Sequence, residues 1–65
     1  MKSEELKDKL EVELILLAKQ KEGMVDYLRL KLAQEDWHGV ADAAMDIREI
    51  VSKSSAINDT LLKIK

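Results

Sequence analysis

From Leu6 to Ile64 the apolar residues recur by threes and fours, and that rhythm stops firmly at one place, Gln34-Glu35-Asp36. Such spacing belongs to a helix resting one face on a neighbour, whereas a strand would alternate at every second residue. No alternation competes with it, and the chain contains no proline. The chain is therefore constrained to two long helices around one turn.

In the first half the stripe runs through Leu6, Leu10, Leu14, Leu17, Met24, Leu28 and Leu32, with Lys21 as its one charged interruption. Ser3 is placed to cap this helix, and Glu4 and Glu5 suit the positive end of its dipole. Gly23 could end it, but Met24 follows with no capping residue and no loop length, so the pattern predicts a kink there in preference to a break into three helices. Asp36 is a good N-cap for the second helix. That helix carries Trp37, Val40, Ala44, Ile47 and Val51, then Ile50, Ser54, Ile57, Leu61 and Ile64 in a neighbouring phase. The slip coincides with Ser52-Lys53-Ser54-Ser55, weak helix formers that predict a bend or a short loop. The expected layout is a single domain over 1–65, with helices over 4–34 and 37–64 and a turn at 35–36.

Helices joined so tightly must run antiparallel. A turn centred on Glu35 sets Leu6 against Ile64, Leu10 against Leu61, Leu14 against Ile57, Met24 against Ile47, and Leu28 against Ala43 or Ala44. Apolar meets apolar, and large meets small near the turn, where Gly39 would let the helices approach closely. One hairpin accounts for both stripes but not for Leu14-Ile15-Leu16-Leu17-Ala18. At roughly 100° per residue this run encircles the helix, and one partner covers only part of that circle. A second copy is the simplest further neighbour, so the expected fold class is all-α: an antiparallel helical hairpin assembling, as a dimer, into a coiled-coil-like four-helix bundle. Leu14, Ile15, Leu16 and Leu17 are the expected oligomer interface.

Length points the same way, because a 65-residue chain buries too little surface to be robust alone, and with no cysteine it has no disulfide to help. The longest apolar run is far short of a membrane span and the amino terminus lacks a signal-peptide pattern, so the reading is a soluble, cytoplasmic protein. A net charge of −2 with acids and bases interleaved gives no electrostatic footprint for nucleic acid.

Chemistry-bearing residues are few. His38, Asp42 and Asp46 follow at i, i+4 and i+8 with Glu49 a turn later, a spacing that sets imidazole and carboxylates on one helical side. The same spacing describes an ordinary solvated acidic face, and no cysteine or second histidine supports a metal site, so no metal and no cofactor are expected. A magnesium-dependent nucleotide hydrolase using Asp42, Asp46 and Glu49 is the enzymatic alternative. No serine is set with the lone histidine for nucleophilic catalysis, and Gly23 and Gly39 stand too far apart for a phosphate loop. The reading is not an enzyme. Trp37, beside His38, Asp42, Asp46 and Glu49, has the composition of a partner-binding hot spot near the turn.

The segment from Lys31 to Glu35 and the following DWHGVADAAMDIREI, residues 36 to 50, resembles a recurring element of small, mostly uncharacterised bacteriophage-encoded helical proteins. The resemblance implies a phage or prophage accessory protein acting by protein–protein interaction on a host or phage protein, with inhibition of a host factor or defence system as the expected role. A sponge for a nucleotide-like immune signal, bound between hairpins, is the other alternative. The same stretch is similar to one tetratricopeptide unit, but a single unit without a second repeat has nothing to stack on.

Overall fold

The computed structural model describes residues 2–64, with side-chain burial given for 4–64. It consists of α1 (Lys2–Ala33) and α2 (Trp37–Ile64), packed antiparallel as a hairpin. The body measures 50 × 15 × 11 Å, so it is two helices wide and one helix deep. Its radius of gyration of 15.0 Å exceeds the roughly 11 Å of a compact chain of this length.

The seam has a stricter period than the sequence suggests. On α1 the buried and half-buried positions are Leu10, Leu14, Leu17, Met24, Leu28 and Lys31, with Val25 beside them. On α2 they are Val40, Ala43, Ile47, Ile50, Ser54, Ile57, Leu61 and Ile64, alternating steps of three and four from end to end. This is the heptad of a coiled coil. Leu17 is 3% exposed and Ala43 0%. The antiparallel register sets Ala43 at the level of Leu28, the large-to-small pairing expected near the turn.

Several expectations are corrected. Helix α1 is already helical at Lys2, one residue before Ser3. No short loop opens at Ser52–Ser55, where α2 is continuous; α1 is likewise continuous through Gly23, in keeping with the preference there against a break. The α2 stripe does not slip. Ala44 and Val51 are exposed, and the seam uses their neighbours Ala43 and Ile50, which keep one phase along the whole helix. Leu6 and Leu32 are likewise exposed and stand outside the seam.

The turn is built without glycine. Glu35 adopts a left-handed backbone with φ 57°. The Glu35 amide donates to Leu32 O at 3.0 Å and the Asp36 amide donates to Lys31 O at 2.9 Å. These two bonds form a Schellman closure of α1, with Glu35 where glycine is the usual occupant. Asp36 at once becomes the N-cap of α2, its Oδ1 accepting from the Gly39 amide at 3.0 Å and its carbonyl from Val40 at 2.9 Å. One residue thus ends one helix and starts the next, and that leaves no slack in the connection.

Candidate functional site

At the tip, Lys31 is the hub. Its Nζ lies 3.5 Å from Asp36 Oδ2 and 5.3 Å from the centroid of the Tyr27 ring. Its aliphatic stem passes over the bare Cα of Gly39, where an added Cβ would come within 2.9 Å of Lys31 Cδ. Gly39 is buried, and the lysine stem closes the seam while its ammonium reaches the surface. The Gly39 amide bond, with the Lys31 ammonium adding to it, holds the Asp36 carboxyl below its ordinary value of 3.8. This cluster pins the turn.

The hairpin presents two broad faces, one on each side of the seam. Grooves between the helices identify which residues share a face. Gln20 and Gly23 of α1 border the same groove as Asp46, Glu49 and Lys53 of α2. Glu11 of α1 borders another with Asn58 and Leu62 of α2. Extending each face by the heptad puts Leu16, Tyr27 and Leu30 with Asp42, Asp46 and Glu49 on the first. The second holds Ile15, Ala18, Val25 and Leu32 with Trp37, Ala41, Ala44, Val51 and Leu62. The first face, called acidic after its tip, carries Asp42, Asp46 and Glu49 near the turn and Lys9, Lys53 and Lys63 farther from it. The second, called apolar, carries Glu22, Arg29 and Arg48 in its tip half and Glu4, Asp8 and Glu11 toward the open end.

This division separates residues that the sequence groups together. Trp37 is 63% exposed and lies on the apolar face, so it does not serve as a core anchor of the turn. Asp42, Asp46 and Glu49 lie on the opposite, acidic face. His38 points outward between the two faces with its side chain 91% exposed, and its Nε2 lies 3.5 Å from Asp42 Oδ2. These five residues therefore do not form one patch. Among the described residues no group of three or more His, Cys, Asp or Glu side chains is arranged to hold a metal ion.

The apolar run divides in the same way. Leu17 is consumed by the intramolecular seam and Leu14 is half-buried in it. Ile15 and Leu16 are both exposed, Ile15 toward the apolar face and Leu16 toward the acidic one. The adjacent pair at Ala43 and Ala44 divides likewise between seam and apolar face. The second stripe, from Trp37 through Ala41 and Ala44 to Val51, is the signal that sequence reading missed. It was hidden because apolar residues stand side by side at 43–44 and 50–51, so either phase fits locally.

No protein-family model matches the chain, and no match to it was found among curated proteins or among solved structures. No helix among the described residues is long and apolar enough to cross a membrane.

Proposed function

We propose that this chain is a non-enzymatic accessory protein of a phage or prophage that works in the bacterial cytoplasm by self-association and by binding a host or phage protein. The observation that carries the reading is the surface the hairpin leaves uncovered. Its accessible area is 5277 Å². A compact monomer of 7.4 kDa exposes about 4,200 Å², so the excess is about 1,100 Å² per chain. Large apolar side chains supply part of it, on both faces: Ile15, Val51 and Trp37 on one, Leu16, Tyr27 and Leu30 on the other. So many large apolar side chains exposed on so small a body are a mark of protein contact.

The acidic face suits a partner protein, because Leu16, Tyr27 and Leu30 offer apolar anchors beside Asp42, Asp46 and Glu49, and charge set beside an aromatic favours a basic amphipathic segment. Gly23 supports this assignment. A mid-helix glycine weakens a helix by about 1 kcal/mol relative to alanine, and nothing within 4 Å of its missing Cβ explains it inside the hairpin. Its bare backbone borders the groove on that face, where a partner would approach. The test is affinity capture from host lysate with the wild type, Tyr27→Ala and the pair Asp42→Lys with Asp46→Lys. Proteins retained by the wild type and lost from both variants, at unchanged helicity, support the reading. Identical capture profiles for all three contradict it.

A further inference from the structure

We propose that the apolar face is covered by a second copy of this chain, the two hairpins lying tip beside tip about a two-fold axis along their length, so that each α1 rests on the partner's α2. The proposal rests on the self-association reading above and fixes its face and direction. Area is the first argument. The excess of about 1,100 Å² per chain is shared between the two faces and is of the order of the surface one partner contributes to a stable interface, about 800 Å². The body is one helix deep, at 11 Å, so a second hairpin laid on one face completes a four-helix bundle in which every neighbouring pair is antiparallel.

Complementarity between the two copies is the second argument. With tips together, α1 of one copy meets the partner's α2 at equal height. Leu32 then falls on the partner's Trp37, Val25 on the partner's Ala44, and Ala18 on the partner's Val51, so apolar meets apolar over the tip half of the contact, while Glu11 and Asp8 meet the partner's Asn58 and the partner's Leu62 toward the open end. The charges at the centre are opposite, because Glu22 falls on the partner's Arg48 and, by the two-fold, the reverse. Among the described residues neither has an ion-pair partner within its own hairpin. The contact is isologous, as a closed dimer requires. Stacking the hairpins head to tail on the same face instead puts Leu32 over the acidic Glu4.

The chain has no cysteine, so His38→Cys introduces a single thiol at a side chain 91% exposed and pointing away from the proposed contact. A spin label there reports direction. Tip-beside-tip packing predicts a label-to-label distance of about 20–30 Å, and head-to-tail packing of hairpins 50 Å long predicts about 45 Å or more. Sedimentation equilibrium supplies the mass. Wild type and Leu30→Glu, whose change is on the acidic face, are expected at twice 7.4 kDa, while Ala44→Glu weakens the dimer by about 100-fold or more because it buries two unpaired charges. Glu22→Arg weakens it and Glu22→Arg with Arg48→Glu recovers it. If Ala44→Glu loses helicity as well, the spin-label distance in the otherwise wild-type chain decides. A dimer with the long distance, a dimer broken by Leu30→Glu and not by Ala44→Glu, or a larger oligomer overturns this arrangement while leaving self-association standing. A folded monomer at high micromolar concentration overturns both.

Discussion

Replacing Glu35 by glycine should make the hairpin more stable. Glu35 is the one non-glycine residue with positive φ among those described, at 57°. A side chain in that left-handed region costs about 1–2 kcal/mol, and glycine gives back about 0.5–1 kcal/mol through its greater freedom in the unfolded chain. The net gain is about 0.5–1 kcal/mol, because the Glu35 and Asp36 amide bonds to Leu32 O and Lys31 O do not involve the side chain being removed. For a domain this small that raises the melting temperature by about 4 °C. Thermal and urea unfolding followed by circular dichroism measure it. Glu35→Asn should recover about half, since asparagine tolerates the same region, and Glu35→Ala should recover none. A Glu35→Gly variant that melts at or below the wild-type temperature would show that the left-handed corner is not the native turn, and the register built on it would fall with it.

Four other outcomes follow from the same geometry. Ala43→Leu, at a position 0% exposed and level with Leu28, should destabilise by about 1–3 kcal/mol through overpacking, read by urea titration. Gly23→Ala should stabilise by about 1 kcal/mol, because its new methyl meets nothing within 4 Å; a loss of stability would reveal an unrecognised contact on α1. Trp37→Ala should keep its helix content, and its loss should appear as dimerisation weakened more than tenfold, where a buried tryptophan would instead cost about 3–5 kcal/mol of folding stability. The Asp36 carboxyl is held below 3.8 in the hairpin, so its ionised form stabilises the fold above that pH and the contribution fades as pH falls through the lower, folded value. Asp36→Asn should flatten this acid limb of the stability profile, and an unchanged limb would remove Asp36 from the capping role.

The turn and the helix count were legible because the stripe stops where Asp36 stands ready to cap. The form of the turn was not, since the usual glycine is absent and Glu35 takes the left-handed corner under constraint from both helices. Only the phase through Ala43 and Ile50 continues unbroken along all of α2, a whole-helix criterion that local windows do not apply. The run from Leu14 to Ala18 could not be divided by spacing alone into Leu17 for the seam and the exposed Ile15 and Leu16 on opposite faces. Trp37 and the acids are close in sequence and near the same tip, and only the three-dimensional register separates them. Lys31 gave no sign of its role, because its neighbour Leu32 fits the apolar stripe locally and only the structure shows Gly39 beneath the lysine stem.

The central claim is that the hairpin is incomplete alone, and its most direct test is sedimentation equilibrium paired with circular dichroism across a dilution series from high to low micromolar. The account predicts a mass of twice 7.4 kDa at the top of the series, with a melting temperature that falls as the protein is diluted and the dimer dissociates. A fully helical 7.4 kDa species whose melting temperature does not change with concentration would contradict it.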